Sequence, residues 1–583
     1  MATTPQTTAP LQYFANVNPD LLDWLPLNAK KILEIGCGTG SLGMAYRSRN
    51  PVAVYGGVEL FATAAESARQ QLDWVVEGNI EHADVLQQVD TALAGSPADV
   101  LVFGDVLEHL VDPWQCLAGL RSRVSPGGTS VACIPNVAHW SLLLQQLQGQ
   151  WNYTDQGLLD RTHLRFFTLN TAIEMYHSAG WQVIEAKPRV MQPDQTRKVL
   201  AIFEQLAEAL GISKERIRQN LPAFQWVIRA VNGDSPERLY LAGFGLKKQA
   251  GVTEARIDHP LKTLASLPYV RVTHSEQGLT IPNDWPLGVL ILQRQFLIHP
   301  PFIQAIENLI SKGWIVIQDM DDDPHHWREF VESDFYAYRA VHAVTVSTQP
   351  LAEMIRAWNP EVRVFANAIY QLPVVSSSAP KNGERIRIFF GALNRKRDWQ
   401  ALMPTYRHWA ETQGASIEWV VVHDREFFEA LPEACRKVFH PTLPQPEYLS
   451  VLASCDLALL PLNDTPFNRM KSDLKFIECC AAGVVPLCSR LVYSDTPEHL
   501  NIGYFADTAD EWLSVLVEST QDGETLRRRR QLGLDYVRTR RMHSGQMTAR
   551  SEFYRALLAD RPRLEQARQL RLAAIPAQFN PLA

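Results

Sequence analysis

Short apolar runs recur along most of the chain, with amphipathic stretches between them. Lys31–Ile35, Val52–Val58, Val100–Phe103 and Thr129–Ile134 make a first set. Leu239–Phe244, Gly288–Leu292, Trp314–Gln318 and Ala343–Ser347 make a second, and Ile386–Phe390, Trp419–Val422, Leu457–Leu460 and Val485–Cys488 a third. Each run has the length of a buried strand rather than a helix, so each predicts a strand. Strands alternating with helical patterns predict βαβ units around mostly parallel sheets. The expected fold class is α/β, with three such units in series.

The breaks between sets predict the domain limits. Residues 10–190 form the first unit. From 198 to 231 the pattern is helical, with Val199, Ile202, Phe203, Leu206 and Leu210 on one face, and 191–235 is expected to be a helical connector. Asn232-Gly233-Asp234-Ser235-Pro236 is a cluster of turn residues and marks a boundary. The second unit then spans 236–372 and the third 385–545, joined by a Ser/Pro/Gly-rich linker over Pro373–Glu384. Residues 546–583 read as a helical tail.

Composition adds exclusions. A hydrophobic content of 46% and a charged content of 20% exclude a disordered, collagen-like or coiled-coil chain. No apolar run approaches the ~18 residues needed to span a bilayer. Met1–Pro10 has neither a basic nor an apolar region of the kind a secretory signal needs. The eight cysteines include no C-x-x-C pair, which favours free thiols in a reducing, cytoplasmic setting over disulfides or a zinc site. The net charge of −7 lies in residues 1–190, where 11 basic residues face 18 acidic ones. The remainder is neutral, so nucleic acid is not expected as a partner. Residues 527–571 nevertheless carry 13 arginines against four acids. They read either as a solvated helical face or as a surface for phosphates or the inner face of an anionic membrane.

The first chemical motif is Glu34-Ile35-Gly36-Cys37-Gly38-Thr39-Gly40, between a strand and a helical pattern. Glycines at 36, 38 and 40 permit a tight turn and close approach to a ligand. The dinucleotide pattern G-x-G-x-x-G would require glycine where Ser41 stands. The spacing instead resembles the acid-x-G-x-G-x-G loop of class I S-adenosylmethionine-dependent methyltransferases. Three further segments extend the resemblance. Glu59 ends the next strand, where an acid can accept from both ribose hydroxyls. Gly78-Asn79-Ile80-Glu81 falls at the adenine position, with Asn79 where the family usually carries an acid. Asp99–His109, including Asp105, resembles the fourth strand and its loop, and Ser125-Pro126-Gly127-Gly128 the turn before the fifth. The resemblance implies S-adenosylmethionine as co-substrate, held by Glu34, the three glycines, Glu59, Asn79, Ile80 and Asp105.

Pro135-Asn136-Val137, Trp151-Asn152-Tyr153 and Leu159–Phe167 resemble the acceptor side of methyltransferases encoded with surface-polysaccharide enzymes. His109, at a strand's carboxyl end, is a candidate to take a proton from a sugar hydroxyl, and His163 is its rival. Either histidine can equally be a hydrogen-bonded structural residue.

The second motif, Lys471–Pro486, resembles the donor-binding segment of GT-B glycosyltransferases of the retaining, lipopolysaccharide-type group. The resemblance implies that Glu478 accepts from the ribose of a nucleotide sugar and that Lys471 and Lys475 meet its phosphates. Many relatives carry a second glutamate eight positions before the first; here that position is Met470. Gly391 in Phe389–Asp398 matches the family's glycine turn, and Arg395 and Lys396 its basic diphosphate contact. His423-Asp424 and Pro461–Asp464 end later strands of the same unit. Asp319-Met320-Asp321-Asp322-Asp323 could hold a divalent ion, but the GT-B resemblance implies no metal, and acceptor contact or helix capping is the preferred reading. There is no G-x-S-x-G elbow and no Walker loop.

Together the resemblances imply three Rossmann-like units, a class I methyltransferase domain followed by a two-lobed GT-B glycosyltransferase. The implied function is bifunctional. It comprises methylation of a sugar hydroxyl and sugar transfer from a nucleotide donor to a glycan or lipid-linked saccharide of the O-antigen or capsule kind. A single-activity enzyme with one module kept as a binding scaffold, and a tailoring enzyme for a small natural product, are the alternatives.

Overall fold

A computed structural model describes residues 14–246, 251–373, 385–413 and 416–582. The expectations for Met1–Pro10 and for nearly all of the 373–384 linker lie outside the described residues. The chain divides into two compact units, one of residues 1–238 with 265–270, the other of 239–264 with 271–583.

The first unit holds β1 (Lys31–Ile35), β2 (Val54–Glu59), β3 (Trp74–Glu77), β4 (Ala98–Gly104), β5 (Val124–Pro135), β6 (Gln182–Arg189) and β7 (Gln225–Val231). They form one sheet in the order β3-β2-β1-β4-β5-β7-β6. The first five strands are parallel, and β7 lies antiparallel between β5 and β6. This corrects the expected connector: residues 225–231 belong to the sheet, so the domain does not end at 190. The helical pattern misled because it stops earlier, in the helix Pro193–Ala209. The face also splits, with Phe203 buried and Ile202 67% exposed. β7 hides as a strand because it carries Arg229, buried with its guanidinium donating to the Trp24 carbonyl at 3.0 Å and lying over the Trp24 ring.

The second unit has two lobes, each a six-stranded sheet. One comprises β8 (Leu239–Phe244), β9 (Val270–Ser275), β10 (Val289–Gln293), β11 (Ile315–Met320), β12 (Ala343–Val346) and β13 (Val362–Val364), in the order β13-β12-β11-β10-β8-β9. The other comprises β14 (Ile386–Gly391), β15 (Ile417–Val422), β16 (Lys437–His440), β17 (Leu457–Leu460), β18 (Val485–Cys488) and β19 (Tyr504–Phe505). Its order is β16-β15-β14-β17-β18-β19, wholly parallel, with the topological switch between β14 and β17.

The tail packs on the first lobe. Ile575 joins that lobe's apolar core, and Arg568, 1% exposed, pairs with Glu307 at 2.7 Å. Arg571 donates to the Val341 carbonyl at 2.7 Å, and Arg541 grips Asp473 and the Asn367 carbonyl. The arginine-rich segment is therefore neither a uniformly solvated face nor an open cationic surface, because Arg568 and Arg571 fasten the tail to the first lobe and Arg541 joins the two lobes. Among the described residues no helix is long and apolar enough to cross a membrane.

The first lobe is pinned by a buried pair. Arg256 forms a two-point contact with Asp319 at 2.7 and 2.9 Å and also donates to the Phe365 carbonyl and Asn367. Asp319 accepts in addition from Thr345. Arg256→Met should leave Asp319 as a buried, unpaired charge and destabilise the second unit by ~3–5 kcal/mol. Guanidinium denaturation of wild type and variant measures this; equal midpoints would refute it.

Candidate active sites

In the first unit the glycine loop follows β1 and leads into the helix Ser41–Arg49. Gly36, Gly38 and Gly40 all have positive φ, at 71°, 54° and 85°. Crowding reinforces the need for glycine. A Cβ at Gly36 would lie 2.4 Å from Val106 Cγ2, and one at Gly38 would lie 2.6 Å from the Phe14 carbonyl oxygen. The loop is thereby pressed against the segment after β4 on one side and the Phe14 backbone on the other. Thr39 donates to that same carbonyl from its N–H and its hydroxyl, at 3.2 and 3.1 Å.

Glu59, at the end of β2, accepts from the Gly38 N–H at 2.8 Å and the Phe61 N–H at 2.9 Å. Burial raises its pKa, opposed by those backbone donors. Glu34 departs from its expected role. It is buried and accepts from the Tyr55 hydroxyl at 3.0 Å, so it supports the loop from within the core. Burial pushes its carboxyl up to about 8 against that hydrogen bond, and the Glu59 charge adds to the rise. Asn79 accepts from the Glu81 N–H at 2.9 Å in a tight turn, and Ile80 lies in the apolar core. Glu81 in turn ties this turn to the loop after β4, accepting from Val111 and Asp112. Asp105 has a left-handed φ of 56° and accepts from the Gln225 amide. Burial lifts its carboxyl to about 6, with Arg189 opposing.

The structure brings His109 and His163 together, with ring centroids 4.8 Å apart. His109 Nδ1 faces the Thr162 carbonyl at 3.2 Å, and His163 Nδ1 faces the Leu158 carbonyl at 3.3 Å. A carbonyl only accepts, so each Nδ1 carries the proton and each Nε2 keeps its lone pair. Burial lowers both imidazole pKa values and favours neutral rings. Beside them is Glu108, whose side chain the sequence reading left without a role. It is 1% exposed, neither carboxylate oxygen has a hydrogen-bond partner, and Oε1 lies 4.0 Å from His163 Nε2. Its position next to His109 was the only sequence signal for it.

In the second unit Lys475 lies between the Tyr448 hydroxyl at 2.9 Å and Glu478 at 3.2 Å, with its ammonium over the Tyr448 ring. Burial works against this ammonium, but Glu478 and Tyr448 outweigh it and raise its pKa. His423 stacks on the other partner of the cluster, Tyr448. Lys471 pairs with Asp322 of the opposite lobe at 2.5 Å; burial lowers its pKa, Asp322 opposes, and Arg395, bound to Asp398 and Asn468, adds to the fall. Lys396 does not join this group; it is exposed and pairs with Glu426 at 3.1 Å. Gly391 is demanded by packing, since a Cβ there would lie 2.5 Å from the Phe389 ring. Met470 packs against the apolar core of the first lobe, which accounts physically for a methionine in place of an acid. Of the aspartate run, Asp321 and Asp322 pair with Arg294, while Asp323 caps the turn Pro324–His326.

Residues 33–130 match the family model described as a methyltransferase domain. The chain is 27% identical over 187 residues to a ubiquinone biosynthesis O-methyltransferase of Cereibacter sphaeroides, covering 31% of this chain and 72% of that one. Among solved structures, an S-adenosylmethionine-dependent methyltransferase from Archaeoglobus fulgidus covers 36% of this chain at 14% identity, with 90% of its own length matched and a TM-score of 0.27. WaaG, a glycosyltransferase involved in lipopolysaccharide biosynthesis, covers 53% of this chain at 12% identity, with 98% of its own length matched and a TM-score of 0.39. With its family match and sheet order, the first unit is a methyltransferase domain of the class I fold. The second unit has two α/β lobes, each built on its own six-stranded sheet, and the methyltransferase-domain match supports a transferase.

The raised Glu34 carboxyl makes a pH prediction. The folded state keeps a proton that the unfolded chain loses above about 4.5, so stability falls as pH rises from there to about 8 and is level beyond. A tenfold change in proton affinity is worth about 1.4 kcal/mol, so the full effect amounts to a few kcal/mol. Glu34→Gln keeps an acceptor for Tyr55 and removes the titration. The variant's melting temperature should gain on wild type between about pH 5 and pH 8, and parallel curves would contradict the buried-acid assignment.

Proposed function

We propose that the chain is a two-module transferase of surface-glycan assembly. The first unit methylates a hydroxyl oxygen with S-adenosylmethionine, and the second transfers a sugar from a nucleotide donor. The observation that carries the first half is Glu59, a buried carboxylate at the carboxyl end of β2 that already holds the N–H of the glycine loop. The loop's left-handed glycines and this carboxylate fit a nucleoside whose ribose exchanges hydroxyl donors for backbone ones.

When bound, the co-substrate supplies a methyl group already made electrophilic by its sulfonium. The protein's task is alignment and proton removal. Glu59 accepts from the ribose hydroxyls, and Asn79 and Ile80 flank the adenine. A neutral His109 keeps an Nε2 lone pair for the acceptor side, with Nδ1 held by the Thr162 carbonyl.

In the second unit Glu478 serves the ribose of the nucleotide sugar, while Lys471, Lys475 and Arg395 meet the diphosphate that leaves. Lys471 exchanges Asp322 for phosphate as the donor arrives. The acceptor is a glycan or lipid-linked saccharide. A second reading of the methyl acceptor, an aromatic hydroxyl, is favoured by the O-methyltransferase relative and by the exposed Trp151–Phe166 pair beside the 158–167 segment. Screening saccharide and phenolic acceptors with radiolabelled methyl donor separates the two.

Glu59→Ala should weaken S-adenosylmethionine binding by ~1.5–3 kcal/mol, the loss of a hydrogen bond to a charged group. Lys475→Ala and Glu478→Ala should each weaken uridine or guanosine diphosphate binding and leave methyl-donor affinity unchanged. Calorimetric titration of all three variants tests this. An unchanged nucleotide affinity in both C-terminal variants would sink the donor-site assignment, and an unchanged methyl-donor affinity in the first would sink that of Glu59.

A further inference from the structure

Beyond the nucleoside and acceptor contacts, the first unit contains a cluster whose chemistry is one-sided. An oxygen of Glu108 and a ring nitrogen of each of His109 and His163 all lie within 4.8 Å of one another. The two imidazoles are held by the Thr162 and Leu158 carbonyls in the tautomer that leaves Nε2 as a lone pair. Both Glu108 oxygens are buried without a partner. Three groups able to donate electron pairs thus lie together, and neither carboxylate oxygen of Glu108 has a hydrogen-bond partner among the described residues. Burying polar groups in this state costs free energy unless something shared satisfies them.

We propose that Glu108, His109 and His163 form a two-histidine, one-carboxylate site for a divalent transition-metal ion, which reverses the expectation of a metal-free enzyme. The donor set is that of catalytic zinc and related ions, three protein ligands with further positions open. The supporting shell has the required form, since metal-bound histidines characteristically donate their other N–H to a carbonyl or carboxylate. Here both do. Glu108 and His109 stand on the short turn Leu107–His109 after β4, and the Glu108 carbonyl accepts from Leu164 at 2.8 Å and Arg165 at 3.0 Å. Those two hydrogen bonds fasten the segment bearing His163 to the turn bearing the other two ligands. Tetrahedral ligands at ~2.1 Å from an ion lie about 3.4 Å apart, so the side chains close inward by about an ångström on binding.

The role in the reaction rests on the methyl-transfer reading. A hydroxyl oxygen of the acceptor occupies an open position on the ion and loses its proton to water. Its oxygen then forms the bond to the methyl carbon as the carbon–sulfur bond breaks, and the electron pair stays on sulfur. The histidines act as ligands, and the ion replaces an imidazole as the means of activating the acceptor.

The test uses the full chain, stripped with chelator and titrated with Zn²⁺ by calorimetry and with Co²⁺ by visible spectroscopy. One ion should bind, and its Co²⁺ spectrum should lack a thiolate charge-transfer band, which separates this site from the cysteines. Glu108→Gln, His109→Asn and His163→Asn should each weaken Zn²⁺ by at least tenfold. S-adenosylhomocysteine affinity, measured on the same samples, reports that the variants are folded and judges the methyl-transfer reading separately. Wild type that takes up no ion, or three folded variants that bind it as wild type does, would overturn the site while leaving nucleoside binding standing. Loss of nucleoside binding with metal uptake intact would remove the catalytic role and keep the site.

Discussion

Parallel strand pairing is the constraint on which the rest of this structure depends. A parallel ladder cannot close through a tight turn, so each strand must return across a face of the sheet before the next begins. All carboxyl ends then meet along one edge, and the loops that leave that edge are free to differ. The glycine loop follows β1, Glu59 ends β2, and Asp105 to His109 follow β4. In the second lobe of the second unit, Gly391 to Arg395, His423 and Asn463 follow β14, β15 and β17. Residues far apart in sequence become neighbours because their strands share an edge.

At that edge the polar groups divide by whether they are already satisfied. Glu59 has backbone donors, and Lys471 and Lys475 have carboxylate partners, so any ligand reaching them must exchange one partner for another. Such exchange keeps charges paired in the absence of ligand and limits the cost of burying them. Glu108 has no such partner, unlike Glu34, Glu59, Glu81 and Asp105, each of which accepts a hydrogen bond. The contrast distinguishes groups placed to receive a competing hydrogen-bonding ligand from one placed to receive a proton or a cation.

The arginines of the C-terminal segment illustrate a different use of charge. Arg568 reaches Glu307, Arg563 reaches Glu361, and Arg541 reaches Asp473, each pairing across a long stretch of chain. Guanidinium groups suit this work because they remain charged on burial and donate in several directions at once. A composition that looks like an open basic surface is in large part internal fastening.

The sequence by itself determined the strands whose apolar runs are continuous, the three-unit order and the glycine loop, because buried parallel strands and left-handed glycines leave local marks. It also placed Glu59 at a strand end and Lys475 in the first turn of a helix, while Glu478 proved to lie mid-helix. It did not reveal β7, whose apolar run is interrupted by Arg229, because the burial of that arginine over Trp24 is decided by tertiary packing. Nor did it reveal that Glu34 faces Tyr55, that Lys396 turns away to Glu426, or that Met470 joins an apolar core. Those outcomes depend on which side chains from distant segments come to lie alongside. The convergence of Glu108 with His109 and His163 was decided in the same way, by two backbone hydrogen bonds that draw the 158–167 segment onto the turn after β4.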